Sequence, residues 1–249
     1  VKTYIASILQ TFSKFPDVQH IQVIPSPSST VAAAAVLGNI ALIKVTSPAK
    51  PEVPAKMCLG NLKYLSKILS TKQVSEHAEL KATIGESIEK EEIVQSIDFI
   101  APRMKIRYQA TDPKAAGKIP TLKSQDWVAT IALQPSHYSE FSDAVKLQQV
   151  MAPQKNEFKI GQKDEYLTIT LETGERSSEA DIGLTFGAVE GSLPKSYYLN
   201  TSMFLAGLSL AQSADSAKVM FSASVCRIAI TSGDDEIEIV IPKQADGRR

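Results

Sequence analysis

Residues 100–126 read Ile100-Ala-Pro-Arg-Met-Lys-Ile-Arg-Tyr-Gln-Ala-Thr-Asp-Pro-Lys-Ala-Ala-Gly-Lys-Ile-Pro-Thr-Leu-Lys-Ser-Gln-Asp126. The first part alternates. Met104, Ile106 and Tyr108 fall on one face and Arg103, Lys105 and Arg107 on the other, which is the period of a strand. From Thr111 to Asp126 the alternation stops, and Pro113, Gly117 and Pro120 punctuate a polar, aperiodic stretch. A strand that runs into such a connector near the middle of a 249-residue chain predicts two domains. We place them at residues 1–115 and 127–249, joined by a linker at 116–126. Each half is long enough to bury a core of its own.

Working outward, the two halves tell a similar story. Toward the N-terminus lie strands at Ile93–Ile100 and Ala78–Ile84, then a helix at Lys56–Ser70. Before these come strands at Ile40–Val45, Val31–Val36 and His20–Ile24, and a first helix at Tyr4–Phe15. In that helix Ile5, Ile8, Leu9 and Phe12 recur at i, i+3, i+4, i+7 as one apolar stripe. The second helix is expected to bury Leu59, Leu62, Leu65 and Leu69. Toward the C-terminus come a strand at Val128–Leu133 and a helix at Ser136–Met151, burying Tyr138, Phe141, Val145 and Met151. Strands at Phe158–Gly161, Tyr166–Leu171, Ile182–Phe186 and Tyr197–Leu199 follow. A fourth helix at Thr201–Gln212 packs through Phe204, Leu205 and Leu208, and an antiparallel meander from Val219 to Ile241 closes the chain. Helices spaced through two β-rich halves define an α+β protein.

Composition sets bounds. No apolar run approaches the roughly 18 residues of a membrane span; the longest, Val31–Leu37, is mostly alanine. No signal-peptide pattern is visible, and Cys58 and Cys226 sit in opposite halves. They read as small buried apolar residues in a reducing cytoplasm and not as a disulfide. The net charge of zero hides an asymmetry. Residues 1–124 carry 16 basic and 10 acidic side chains, and residues 125–249 carry 11 and 17, balances of +6 and −6. Halves of opposite sign suit head-to-tail self-association, though uneven surface solvation gives the same count.

Catalytic readings find little support. His20, His77 and His137 lie in three different elements with no partner at ligand spacing. Neither a phosphate-cradling Gly-rich loop before Lys-Ser/Thr nor a Gly-x-Ser-x-Gly turn appears. No cofactor or metal is expected. The sharper signal is a row of ammonium groups. Lys56, Lys63 and Lys67 stack on the polar side of the second helix, with Lys72 just beyond it, and no acid falls between Ala55 and Lys72. Such a row attracts phosphates without reading bases. It is equally the composition of a solvated helix face.

The run Ile100–Pro113, ending in an aromatic and Ala-x-Asp-Pro, resembles the end of the first domain of myovirus sliding clamps. The Leu59-Gly-Asn-Leu-x-x-Leu-Ser-x-Ile-Leu-Ser70 segment and Ile182-Gly-Leu-Thr-Phe-Gly187 are similar to clamp segments too, and the order of elements matches from residue 1 to about 243. The resemblance implies a homotrimeric ring with a PCNA-like fold, sheets outside and two helices per domain lining the bore. It implies duplex DNA, a DNA polymerase and a clamp loader as partners, in the cytoplasm of an infected bacterial cell, and no chemistry of its own. Carried onto this sequence, the DNA-facing residues are Lys2, Lys14, Lys56, Lys63, Lys67 and Lys72, with Lys146 and Lys155 from the second half. There Glu140 and Asp143 dilute the charge, and the fourth helix carries none. The subunit joint falls on Arg103, Lys105, Arg107 and Tyr108 against Glu179, Asp181, Ile182 and Leu184. The partner pocket falls on Ile119, Pro120 and Leu122 with Ile241 and Pro242. Two other readings stay open: a clamp-like platform for transcription or another phage process, and an enzyme with a cleft between its halves.

Overall fold

The apolar stripe of the first helix folds as its spacing predicts. In α1 (Lys2–Phe12) the side chains of Tyr4, Ile5, Ile8, Leu9 and Phe12 are buried, and the intervening polar residues face out. The helix stops one turn earlier than expected, and Asp17 takes a left-handed backbone (φ 63°) at the turn before the first strand. The structure is a computed structural model. It describes residues 2–36, 38, 40–48, 53–114, 116–121, 125–173, 181–193 and 195–244. The chain divides into two compact units, Val1–Thr121 and Leu122–Arg249.

In the first unit α1 is followed by β1 (Ile21–Pro25), β2 (Ser29–Ala35), β3 (Leu42–Pro48) and β4 (Met57–Leu59). They hydrogen-bond in the order β4-β1-β2-β3, with every neighbouring pair antiparallel. β2 is strand despite its four alanines, because Ala32, Ala33 and Ala34 are buried on a crowded sheet where small side chains fit. Then come α2 (Leu62–Ser70), α3 (Lys72–His77), and a meander of β5 (Glu79–Glu86), β6 (Glu92–Ala101) and β7 (Met104–Gln109).

The second unit repeats this order with additions. β8 (Ala129–Ala132) leads into α4 (Pro135–Met151), then β9 (Glu157–Lys163), β10 (Tyr166–Leu171), β11 (Ile182–Ala188), the short β12 (Glu190–Gly191) and β13 (Tyr197–Asn200). α5 (Thr201–Ala211) and the meander β14 (Ser216–Phe221), β15 (Val225–Ser232) and β16 (Asp235–Pro242) complete it. One sheet runs β11-β10-β9-β13 and another β12-β8-β14-β15-β16. Phe141, Phe158, Phe186 and Phe204 meet edge to face or tilted beneath α4 and α5, with centroids 5.0–6.4 Å apart. Aromatic pairs at this spacing contribute beyond their buried area.

Expectations for three of the helices are corrected. The segment predicted as one helix from Lys56 begins as β4, so Cys58 is a strand residue and Lys56 is not on α2. Met57, Cys58 and Leu59 pair with β1 and are fully buried, and Gly60 and a left-handed Asn61 (φ 42°) separate them from the helix. Within α2 the buried residues are Leu65 and Ile68, while Leu62 and Leu69 are half-buried. In α4 the inward face is His137, Phe141, Ala144, Val145 and Gln148, so Met151 faces out, 53% exposed. In α5, Leu205 is half-buried beside the buried Phe204 and Leu208.

Candidate nucleic-acid and assembly surfaces

α2 sets Lys63 and Lys67 one turn apart on the face opposite Leu65 and Ile68, both exposed. Lys72 is exposed at the start of α3, and Lys14 is exposed in the turn after α1. Among the described residues none of these four has an ion-pair partner. The other lysines expected to meet DNA are engaged within the chain. Lys2 directs its ammonium to the carbonyls of Val74 (3.1 Å), Ser75 (2.9 Å) and Ala78 (3.3 Å), closing the C-terminal end of α3 with a cation. Lys56 binds the carboxylate of Glu91 at 2.8 Å. Lys146 pairs with Asp143 at 2.8 Å, and Lys155 lies 3.6 Å from Glu172, itself bound by the Tyr198 hydroxyl. Lys155 is mostly covered, which removes it as a surface charge. Of the eight lysines expected to meet DNA, the four unengaged ones among the described residues all belong to the first unit. α4 instead exposes Glu140, Asp143, Leu147, Val150 and Met151.

Each unit ends one sheet in an uncovered edge. β7 closes the order β5-β6-β7, and β11 opens the order β11-β10-β9-β13, so each leaves one side without a strand partner among the described residues. On β7, Lys105 and Arg107 both reach back to Asp98 on the neighbouring β6. Arg107 binds both carboxylate oxygens (2.7 and 2.9 Å) and Lys105 one (3.0 Å). These hydrogen bonds hold the Asp98 carboxyl well below the usual carboxylate range. Arg103 stands exposed in the turn before β7. Tyr108 is placed differently from expectation: it points inward, 2% exposed. Its hydroxyl donates to the Gly60 carbonyl (2.6 Å) and accepts from the Gly60 N–H (2.8 Å), and burial pushes the phenol up to about 12. It fastens β7 to the end of β4 and offers nothing to a neighbouring subunit. On β11, Ile182 and Leu184 are half-buried, Phe186 is buried and Asp181 is exposed just before the strand. Glu179 lies outside the described residues.

The linker lies along the first unit. The Gln22 side-chain amide donates to the Gly117 carbonyl at 2.7 Å. Beside it a cavity of about 250 Å³ is lined by Gln22, Ala33, Ala35, Gly117, Lys118 and Ile119. Ile119 is half-buried and Pro120 exposed, while Leu122 lies outside the described residues. Ile241 is fully buried on β16 opposite Cys226, which takes its side chain away from any docking surface; Pro242 is half-buried. Cys58 and Cys226 are free and buried, and burial pushes both thiols up, Cys58 to about 12. Among the described residues no three metal-binding side chains gather.

No family model matches the chain, and no curated protein matches it significantly in sequence. Solved structures do. A. fulgidus PCNA, in a structure with the C-terminal region of FEN-1 bound, aligns over 100% of this chain and 98% of its own, with TM-score 0.68 and 11% identity. PCNA from Entamoeba histolytica aligns over 98% and 96% (TM-score 0.65, 14% identity). The PCNA2–PCNA3 complex from Sulfolobus tokodaii aligns over 98% and 97% (TM-score 0.65, 10% identity). The fold is that of a sliding clamp. Its two similar α+β units carry the antiparallel sheets and few helices of that fold. In clamp-fold terms, the sequence missed the Asp98 junction and α3. A signal for the first was present: an acid inside the apolar run Ile93–Ile100, opposite the cations of the next strand.

Proposed function

We propose that this chain is a DNA polymerase processivity factor: a clamp that assembles head to tail into a closed ring, encircles duplex DNA and tethers the polymerase to its template. The observation that carries this reading is the pair of uncovered edges, β7 in one unit and β11 in the other, on a clamp fold. Two different edges of one chain make a heterologous joint, which closes into a ring when the rotation allows. Alternating side chains on β7 and half-buried Ile182 and Leu184 on β11 suit strand addition across that joint. The myovirus resemblance supports three subunits, a phage replisome in an infected bacterium and loading by a separate machine. Lys14, Lys63, Lys67 and Lys72 then supply sequence-independent attraction to phosphates. Retention is topological, so affinity for the polymerase rests on linkage and local concentration. Partners dock beside Ile119 and Pro120; the A. fulgidus protein with FEN-1 bound supports peptide capture by this fold.

Light scattering across a dilution series tests the assembly. The expected mass is about three times that of the monomer, and a monomer at micromolar concentration overturns the reading. The acidic and apolar exposed face of α4 favours a second reading, a clamp-like platform that does not encircle DNA. Retention on closed circular DNA, with loss on linearisation, separates the two. A platform binds both forms alike.

A further inference from the structure

One buried titratable group joins the start of α4 to the free edge strand β11. His137, 8% exposed, occupies the first turn of α4, where its Nδ1 accepts a hydrogen bond from the Gln134 backbone N–H at 3.1 Å. Its ring stacks on Phe186 of β11 with centroids 4.4 Å apart and planes 28° apart. The next residue on β11, Gly187, has a left-handed backbone (φ 123°) and lies against the same ring. We propose that His137 is an acid-sensitive latch: the neutral imidazole pins β11 to the N-terminus of α4, and its protonation releases that edge.

Three consequences of protonation act in the same direction. A proton on Nδ1 destroys the acceptor and sets two N–H groups against each other. The positive charge stands at the positive end of the α4 dipole. It is also held against Phe186 and the aromatic cluster behind it, away from water. The surroundings offer little relief. Of the elements packed on α4, α5 and β11 carry no titratable side chain, and β10 carries only Tyr166, which is exposed. β8, which packs on β11, carries none. On α4 itself Glu140, one residue short of a full turn on, favours the cation, while Tyr138, Asp143 and Lys146 are the other titratable groups. Burial outweighs Glu140 and lowers the affinity of the imidazole for a proton. With the folded value below the ordinary 6.5, the unfolded chain binds the proton more readily. Stability is complete above about 6.5 and falls as the pH drops below it.

The loosening of β11 stands on the geometry alone, whereas its consequence for assembly rests on the ring reading above. Amide exchange of β11 and the first turn of α4 in the full chain, corrected for intrinsic rate, is compared at pH 7.5 and 5.0 for the wild type and His137→Gln. Glutamine at this helix position still accepts from Gln134 but does not titrate. Wild-type protection is expected to fall at pH 5.0, by at most about thirtyfold, and that of the variant to hold. An equal acid loss in both overturns the latch. Should the variant lose protection already at pH 7.5, the NMR titration of the His137 ring in the wild type decides: a midpoint below 6.5 supports the latch, and one at or above it overturns the latch. Light scattering on the same samples separates the two readings. Released β11 with unchanged mass removes β11 from the joint and leaves the latch in place.

Discussion

Tyr108 shows how one side chain organises a junction. Its phenol satisfies both the N–H and the C=O of Gly60, where β4 hands over to α2. The surroundings are buried, so removing the hydroxyl leaves two backbone groups without partners. Such orphaned groups cost about 1–3 kcal/mol each when buried. Tyr108→Phe is therefore expected to lower the unfolding free energy of the first unit by about 2–6 kcal/mol, read as a lower urea midpoint, while leaving assembly intact. An unchanged midpoint means that water replaces the hydroxyl. Asp98 offers a second test through pH. Its folded carboxyl titrates below the ordinary 3.8, so its contribution is present above that value and is lost as the pH falls through the folded value. Asp98→Asn should be less stable than the wild type at pH 7, and the gap should close below about pH 3.8. A gap that persists in acid would show that Asp98 acts through packing and not through its charge.

At the scale of elements, the edge strands carry the assembly argument. Arg107 is the residue that charge patterning marks for the joint, yet it already binds Asp98 with two hydrogen bonds. Reversing Arg107 would break β6–β7 contacts as well as any intersubunit pair. Asp181 is the cleaner probe, since it is exposed at the head of β11 and antiparallel addition brings it near the C-terminal half of β7. An exposed ion pair is worth roughly 0.2–1 kcal/mol. Asp181→Lys should weaken each joint by up to about fivefold, less at high salt, with the folded monomer unaffected. Equal dissociation curves for variant and wild type would place the joint elsewhere.

How far these elements were legible in the sequence depended on the reach of the signal. α1 declared itself through Ile5, Ile8, Leu9 and Phe12, because helical spacing is local. β7 was equally plain through its alternation. The Lys56–Ser70 segment misled because Leu59, Leu62, Leu65 and Leu69 mimic one helical stripe, while pairing with β1 makes Met57–Leu59 a strand. That pairing is set by residues some 35 positions away, and no local window contains it. The lysines divided for the same reason. Lys63 and Lys67 stayed on an exposed face, but Lys2 met carbonyls more than 70 residues on and Lys56 met Glu91.

For the whole molecule, the charge imbalance between the halves keeps its sign once engaged side chains are set aside, because the ion pairs remove acids along with bases. Ion pairing takes Lys146 and Lys155 out of the second unit's contribution, and α5 has no basic residue. If the ring encircles DNA, its hold on phosphates comes mainly from Lys14, Lys63, Lys67 and Lys72, repeated once per subunit. Each phosphate neutralised adds close to 0.9 to the slope of log affinity against log salt. A charge reversal at Lys63 and Lys67 removes two such contacts per subunit and sets carboxylates facing the backbone. Both side chains are exposed and unpaired among the described residues, so folding and mass should be unchanged. The double variant Lys63→Glu, Lys67→Glu is expected to lose retention on circular DNA at low salt, with a flatter salt dependence than the wild type. Its deficit should shrink as salt screens the remaining lysines. If it retains circular DNA as the wild type does, α2 does not face the duplex, and the uneven charge of the two units serves subunit pairing instead.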